Sequence, residues 1–363
     1  GAAGGEGAVS FGEAVAYPAG FGGSQQQTLA LGDLSGDGRA EIVVGSRPEF
    51  DTEQAFFSNL ANDGSGGFSA PVKHGVGTGE GVVGLAVAHI YGDSPADVVT
   101  TNINGAVAVY QGSGAISFPA FTGRDPQGTG GGPAIAKLNR DSYPDLAIAN
   151  GGPATVAVFR GTSGGNLAAD PDVFDTGTNA GSVIATDVDR DGRRDLIVGG
   201  LAGSGGYNGS LSLLINEGSS GFGAASRKEF GSGFVSVAAG NVAGNERLEV
   251  VTSVPSESSV SQWPVTRAGK LGSPVQLAMP AAVVGSTLAD INGDRRLDIV
   301  ATLADQRIAV RLAKRTGGFA AARPFAAGGP VGALRVADLD GDGDRDVATL
   351  GGSHVRVLLN ESS

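Results

Sequence analysis

Short apolar segments alternate with polar turns along the whole chain, and the alternation repeats about every 50 residues. The apolar runs are roughly four to eight residues long and are bounded by Gly, Ser, Asn and Asp, which is typical of β-strands. An amphipathic helix would need about ten or more residues with a period of 3.6. The pattern therefore predicts an all-β chain of seven similar units, each with four strands.

The first strand of each unit is rich in Ala, Gly and Val and leads into an acidic turn. These strands are predicted at Thr28–Leu34, Gly84–Ile90, Ala134–Leu138, Val183–Val188, Val235–Val242, Ser286–Ile291 and Leu334–Leu339. Small side chains suit strands that crowd together near a central axis. The second strand is a continuous apolar run, such as Val250–Ser253, as expected where both faces of a sheet are buried. The outer, fourth strand is predicted to begin at Gly-Phe pairs, as at Gly67-Phe68, Gly221-Phe222 and Gly318-Phe319.

The two ends of the chain predict how the units are joined. The last unit stops after its third strand, near Leu359, whereas Val9–Ala16 reads as a fourth strand without a unit of its own. If the N-terminal segment completes the last sheet, the units form a closed ring that needs no capping repeat. We therefore expect a single domain over residues 1–363.

The acidic turn is most complete at Asp338-Leu339-Asp340-Gly341-Asp342-Gly343-Asp344-Arg345-Asp346. Calcium is bound by six to eight oxygen atoms, and a short loop can supply them from alternate side chains and a backbone carbonyl. The side chains at positions one, three, five and nine and the carbonyl at position seven would serve here. Gly343 at position six permits the sharp reversal that such wrapping needs. The turn therefore predicts a calcium site.

The same nine-residue frame recurs with its first position at Asp33, His89, Lys137, Asp187, Asn241, Asp290 and Asp338, which lie 48 to 56 residues apart. The segments Gly32–Val44, Asp187–Val198, Asp290–Val300 and Asp338–Ala348 match the frame well. This pattern resembles the FG-GAP/VCBS repeat family, seven-bladed β-propellers of the kind found in integrin α-subunit heads and in many secreted bacterial and fungal proteins. The resemblance implies calcium binding and a seven-bladed β-propeller of four-stranded blades, closed by an N-terminal strand that completes the last blade.

About four structural calcium sites are expected, one in each well-matched turn. The predicted metal-binding residues are Asp33, Ser35, Asp37, Arg39 and Glu41; Asp187, Asp189, Asp191, Arg193 and Asp195; Asp290, Asn292, Asp294, Arg296 and Asp298; and Asp338, Asp340, Asp342, Asp344 and Asp346. Each position-seven residue in this set would contribute its backbone carbonyl. The turns at His89, Lys137 and Asn241 have too few carboxylates, and we expect hydrogen-bonded Asx-turns there. The ammonium group of Lys137 is expected to replace the cation's charge beside Asp141 and Asp145.

The amino-acid composition limits which partners and which cellular compartment are expected for the protein. The formal net charge is −12, which argues against nucleic acid as a partner, and four divalent cations would reduce it to −4. The sequence has no cysteine, and no apolar run approaches the roughly 18 residues of a membrane span. Loops that bind calcium with moderate affinity are occupied at extracellular but not at cytosolic calcium concentrations. We therefore expect an extracellular monomer, secreted or at the cell surface.

In the integrin-like arrangement that the resemblance implies, ligands approach the face opposite the acidic turns. Loops on that face carry Arg47, Phe50, Arg124 and Tyr207, which could stack on a sugar and hydrogen-bond to it. Phe56, Phe57 and Trp263 are interpreted as residues that pack blades together. These features favour a glycan- or protein-binding module, lectin-like or adhesin-like. The alternative is a polysaccharide-acting hydrolase or lyase, for which no catalytic residue stands out.

Overall fold

The computed structural model describes residues 9–21, 26–47, 54–78, 81–92, 95–102, 104–112, 119–124, 130–163, 166–177, 179–200, 209–230, 236–242, 247–255 and 257–362. In these residues, seven four-stranded antiparallel sheets account for all the strands, and the helical content is one 3-10 turn at Gly218–Ser220. The all-β prediction of seven four-stranded blades is confirmed.

Each of the first six blades is a meander of four consecutive strands, ordered from the innermost to the outermost. After the N-terminal strand β1 (Val15–Pro18), blade 1 contains β2 (Gln26–Gly32), β3 (Glu41–Arg47), β4 (Gln54–Leu60) and β5 (Val72–Thr78). Blade 2 contains β6 (Val82–Ala88), β7 (Asp97–Asn102), β8 (Ala106–Tyr110) and β9 (Pro119–Arg124). Blade 3 contains β10 (Gly130–Ala136), β11 (Asp145–Asn150), β12 (Thr155–Phe159) and β13 (Asp172–Asp175). Blade 4 contains β14 (Ala180–Thr186), β15 (Asp195–Gly200), β16 (Gly209–Leu214) and β17 (Ser226–Phe230).

The remaining blades follow the same plan. Blade 5 contains β18 (Ser236–Gly240), β19 (Glu249–Ser253), β20 (Ser259–Pro264) and β21 (Val275–Ala278). Blade 6 contains β22 (Val283–Ala289), β23 (Asp298–Leu303), β24 (Arg307–Arg311) and β25 (Arg323–Ala326). Blade 7 contains β26 (Ala333–Ala337), β27 (Asp346–Gly351) and β28 (His354–Leu358), and its outermost strand is β1. The register pairs Val15 with Val357 and Tyr17 with Val355. The N-terminal segment therefore begins its strand later than predicted, while Phe11 forms an isolated bridge to Asn360.

The innermost strands surround a common axis. Each of β2, β6, β10, β14, β18, β22 and β26 contacts the innermost strand of both neighbouring blades, and β26 contacts β2. The approach is close where blades 2 and 3 meet, because a Cβ atom added at Gly84 would lie 2.3 Å from the carbonyl oxygen of Gly131. This crowding accounts for the small residues that the sequence shows in these strands.

The core lies between the blades. All residues of the second strands β7, β11, β15, β19, β23 and β27 are buried, as the continuous apolar runs predicted. A representative cluster joins Val99 and Val107 of blade 2 to Leu146 and Phe159 of blade 3. Packing between sheet faces therefore stabilises the fold, with each blade dependent on its neighbours.

Two sequence predictions about strand ends are wrong. The first strands end about two residues before the predicted positions, and the fourth strands begin after the Gly-Phe pairs. Phe68, Phe222 and Phe319 instead form isolated bridges within the turn between the third and fourth strands. The physical reason for the early end of the first strands is a buried carboxylate, described next.

Candidate metal centres

The last carboxylate of the frame is buried in every blade. The seven residues are Glu41, Asp97, Asp145, Asp195, Glu249, Asp298 and Asp346, each at most 3% exposed. One oxygen of each accepts a hydrogen bond from the backbone N–H of frame position two, at 2.6–3.1 Å. That N–H is thereby removed from the strand ladder, which is why the first strand ends early. The apolar side chain at position two is buried in all seven blades: Leu34, Ile90, Leu138, Val188, Val242, Ile291 and Leu339.

The other oxygen of the closing carboxylate holds the end of the third strand in five blades. Asp97, Asp145, Asp195, Asp298 and Asp346 accept an N–H from Gly112, Gly161, Asn216, Ala313 and Asn360 at 2.7–3.1 Å. The closing carboxylate therefore ties three segments of its blade together. Carboxylate spacing alone predicts only a metal-binding role for this position, although its presence in the three poorly matched turns indicates a more general one.

The opening carboxylate shapes the backbone of the well-matched turns. Asp187 accepts N–H groups from Arg190 and Gly192 at 2.7 and 3.0 Å, and Asp338 accepts those of Gly341 and Gly343 at 2.7 and 3.1 Å. Positions four and six are left-handed in these turns and in those at Asp33 and Asp290: Gly36, Gly38, Arg190, Gly192, Gly293, Arg295, Gly341 and Gly343. Because left-handed non-glycine residues are strained, Arg190 and Arg295 show that the loop geometry overrides local preference.

Two turns bring three carboxylates together. Asp187, Asp189 and Asp195 each place an oxygen within 4.8 Å of the others, and so do Asp338, Asp340 and Asp346. Clustered anionic oxygens around one point are the donor set that Ca²⁺ prefers, so the residues present fit the ion. In the other two turns, position three is Ser35 or Asn292, which offers a hydroxyl or an amide oxygen instead.

In three of the well-matched turns, the carboxylate at position five is paired with an arginine side chain. The guanidinium groups of Arg39, Arg193 and Arg296 form ion pairs with Asp37, Asp191 and Asp294, two residues earlier. The fourth turn has Asp344 at position seven, and its N–H donates to Asp342 at 2.8 Å. Neither Asp191 nor Asp342 belongs to the three-carboxylate clusters. A metal role for positions five and seven stays a prediction.

Burial makes the closing carboxylates costly to ionise. Desolvation raises the pKa of Asp298 and of Asp346 to about 6, and the nearby carboxylates of the same turn add to the effect. Desolvation also raises the pKa values of Glu41, Asp145 and Asp195. A bound cation would favour the ionised forms, because it would place an opposite charge beside the closing carboxylate.

The turn at Lys137 has a different backbone. Neither Arg140 at position four nor Ser142 at position six is left-handed. The expected substitution of Lys137 for the metal charge is wrong: among the described residues, no ion pair joins Lys137 to Asp141 or Asp145. The guanidinium of Arg160, 3.9 Å from Asp145, is the cation beside that carboxylate. In the other two poorly matched turns, Asp93 and residues 243–246 lie outside the described part.

Asparagine side chains link neighbouring blades beside the turns. Asn216 of blade 4 donates through Nδ2 to the carbonyl of Leu138 in blade 3 at 2.7 Å, and Asn62 of blade 1 donates to that of Leu339 in blade 7 at 2.9 Å. Asn360 of blade 7 donates in the same way to Ile291 of blade 6 at 2.7 Å. This role of the asparagines was not predicted from the sequence. A signal was present, since each asparagine follows a third strand and precedes an acidic residue.

The residues predicted for ligand contact fall mostly outside the described part. Phe50 and Tyr207 lie outside it, and Arg47 and Arg124 end β3 and β9 with side chains that are not described. Phe57 and Trp263 are buried, as expected for residues that pack between blades, and Trp263 donates from Nε1 to Thr252 Oγ1 at 2.9 Å. Within the described residues, no helix is long and apolar enough to cross a membrane.

Comparison with known proteins supports the same architecture. A family model of FG-GAP-like repeats matches residues 137–198 and 290–349. No curated protein sequence matches the chain. The fold is similar to BBS1N in its complex with ARL6DN, at a TM-score of 0.64 and 11% identity over 98% of this chain and 97% of that one.

Two further solved propellers are similar. One is an Agrocybe aegerita lectin described as recognising non-reducing terminal N-acetylglucosamine, at a TM-score of 0.58 and 17% identity over 83% of this chain and 80% of that one. The other is the Dos1 propeller, at a TM-score of 0.60 and 11% identity over 94% and 95%. Identities this low carry the fold alone.

Proposed function

Because the chain is a seven-bladed β-propeller built of FG-GAP-like repeats, we propose that it is a calcium-stabilised binding module for a glycan or a protein, acting outside the cell. The observation that carries the calcium part is the pair of three-carboxylate clusters at Asp187 and Asp338. Three carboxylates crowded together without a counter-charge repel one another, and a divalent cation removes that cost.

The ion would be held by the carboxylates of Asp187, Asp189 and Asp195, and by those of Asp338, Asp340 and Asp346. The turns at Asp33 and Asp290 would hold it through three carboxylates and the oxygen of Ser35 or Asn292. Bound calcium would supply charge neutralisation and fix the turn between the first and second strands. The role is structural, because the clusters join strands of a single blade.

The expected affinity indicates the compartment. A loop with a Kd of roughly 10⁻⁴ M is mostly filled at about 1 mM calcium and stabilises the fold by about 1.4 kcal/mol per site. The same loop is mostly empty at cytosolic calcium concentrations. This supports an extracellular location, secreted or at the cell surface.

The binding part of the proposal rests on architecture and on what related folds are described as doing. Similar propellers include a lectin and a protein solved with a protein partner. The two rings of turns at the ends of the blades offer surfaces that can vary while the interblade core stays constant. A glycan or a protein is therefore the ligand class to test first.

Two measurements test the proposal. Calcium titration of chelator-treated protein should raise its melting temperature and saturate at about four ions per chain. An unchanged melting temperature with no bound calcium would contradict the metal part. A glycan and protein screen in calcium should then yield a saturable ligand without turnover, whereas depolymerisation of a polysaccharide would favour the hydrolase or lyase alternative.

A further inference from the structure

A cleft of about 670 Å³ lies between the turns of blades 3 and 4. Four cationic side chains line it, namely Lys137, Arg140, Arg193 and Arg194, and its acidic side chains are Asp141 and Asp191. The excess of positive charge is unexpected in a chain whose net charge is −12. The cleft therefore differs in sign from the protein as a whole.

The two acidic groups of this cleft are already engaged. Asp191 pairs with Arg193, whose Nε also donates to the carbonyl of Asn216 at 2.7 Å. Asp141 accepts hydrogen bonds from Asn139 Nδ2 at 2.7 Å and from the N–H of Tyr143 at 2.8 Å.

The other three cations have no such partner. Lys137, Arg140 and Arg194 are exposed and form no ion pair with any residue that the structure describes. They can therefore bind an anion without first breaking an internal contact.

The positive charge is not a consequence of the fold. The junction between blades 7 and 1 is built in the same way, since Asn62 links Leu339 across it as Asn216 links Leu138. At the frame positions of Lys137, Asn139 and Arg140, that junction has Asp338, Asp340 and Gly341. Equivalent junctions of one propeller thus differ in charge at positions one, three and four, so this sequence, and not the fold, makes the blade 3 side of the cleft cationic.

A second cationic cleft, of about 550 Å³, lies on the other side of the blade 4 turn. Its described lining includes Arg190 and Arg247, which also interact with other residues, and the exposed Arg267. Leu248 and Pro264 add apolar wall, and Thr266 adds a hydroxyl. The two clefts place cations on three consecutive blades, so a ligand that used both would need several anionic groups along its length.

We propose that the cleft between blades 3 and 4 binds an anionic polysaccharide, whose carboxylate or sulfate groups Lys137, Arg140 and Arg194 hold, and that the second cleft extends this site through Arg267. Guanidinium groups match the planar carboxylate or sulfate oxygens through paired hydrogen bonds, and the apolar wall suits the C–H faces of sugar rings. The acidic remainder of the surface repels any polyanion alike, so the apolar wall that suits sugar rings, and not charge, favours a polysaccharide over nucleic acid. The site rests on the proposed binding role of the propeller but does not depend on calcium at the acidic turns.

The test uses the full chain in calcium, with three probes: sulfated heparin oligosaccharides, carboxylated polygalacturonate oligomers, and polyphosphate. Wild-type protein should bind at least one of the two sugars saturably, and added salt should weaken the binding. Binding to the sulfated or to the carboxylated probe alone identifies which anion the site accepts. Polyphosphate bound as tightly as the better sugar would overturn the polysaccharide assignment.

The double variant R140E/R194E should reduce sugar affinity at least tenfold, since it reverses two charges in one cleft. The matched control is K314E/R315E, an equal charge change at two exposed cations in the turn between β24 and β25 of blade 6. Circular dichroism and the melting temperature should first be measured to establish that both variants are folded. Equal loss in both variants, or no sugar binding by the wild type, would overturn the inference. Either result would leave the calcium titration and the ligand screen above untouched.

Discussion

The turns Asp338–Asp346 and Lys137–Asp145 occupy equivalent places in blades 7 and 3, yet they share only the residues at positions two, five and nine. Asp346 and Asp145 are both fully buried, and each accepts the N–H of position two and an N–H from the end of the third strand. The opening position is a carboxylate in one turn and an ammonium group in the other. Only the turn at Asp338 has the left-handed backbone at positions four and six.

This comparison separates two roles that share one sequence frame. The closing carboxylate is part of the blade architecture and is retained in all seven blades. The residues at the first positions of the frame vary from blade to blade, and they determine whether a turn contains a cluster of carboxylates or exposed cationic side chains. One repeat can thus carry different surface chemistry on each blade while its core remains the same.

The largest effect is expected at the closing carboxylate, where both turns should respond alike. Asp145→Ala leaves the buried N–H groups of Leu138 and Gly161 without acceptors, which should lower the free energy of unfolding by about 3 kcal/mol. Urea denaturation in chelator measures this, with the exposed Asp170→Ala in the same blade as control. Equal stability of the two variants would show that the closing carboxylate is not architectural.

The next effect concerns the asparagine links, which are also common to both turns. Asn216→Ala and Asn62→Ala each remove a side chain that donates to two carbonyls, and each should cost about 2 kcal/mol. The exposed Asn166→Ala serves as the control in urea denaturation. A cost at Asn62 but not at Asn216 would mean that the link matters only beside acidic turns.

The turns at Asp338 and Lys137 should differ in whether they bind calcium. Asp338→Lys gives blade 7 the opening residue of blade 3, and it should remove one site's calcium stabilisation, about 1.4 kcal/mol. The reverse change, Lys137→Asp, should create no site, because Arg140 and Ser142 lack the left-handed backbone. The melting temperature with and without calcium measures both variants. A new calcium response in Lys137→Asp would show that the opening carboxylate alone determines binding.

A smaller effect is expected from pH. The folded-state pKa of Asp298 and of Asp346 is about 6, above the ordinary 3.8, so the protonated forms stabilise the metal-free fold. That contribution is complete below pH 3.8 and is lost as the pH rises through about 6. Calcium binds the ionised forms, so the calcium-induced rise in melting temperature should grow from pH 5 to pH 7. A calcium effect independent of pH would exclude these carboxylates as ligands.

The seven-unit architecture could be predicted from the sequence because the frame recurs with regular spacing and apolar runs flank it. The second strands were confirmed as buried for the same reason. Strand ends were less accessible, since Leu138 and its equivalents look like strand residues. Their N–H groups bond to a carboxylate seven residues later, and no local pattern shows that contact.

The site was predictable only in part. Carboxylate spacing identified the clusters at Asp187 and Asp338, since those carboxylates lie within nine residues of one another. The links from Asn216 to Leu138 and from Asn62 to Leu339 join residues far apart in sequence. The cationic cleft depends on the same long-range contact, because Lys137 and Arg194 meet only when blades 3 and 4 pack together. Pairings of this kind require the closed fold.

Calorimetric titration of chelator-treated protein with calcium tests the central claim most directly. If the closing carboxylate is architectural and the opening positions select the metal, the titration should saturate at about four ions per chain, for the turns at Asp33, Asp187, Asp290 and Asp338. Saturation at seven would mean that the closing carboxylate is sufficient for binding, and absence of binding would mean that the acidic turns are held by hydrogen bonds alone. Either result would contradict the account.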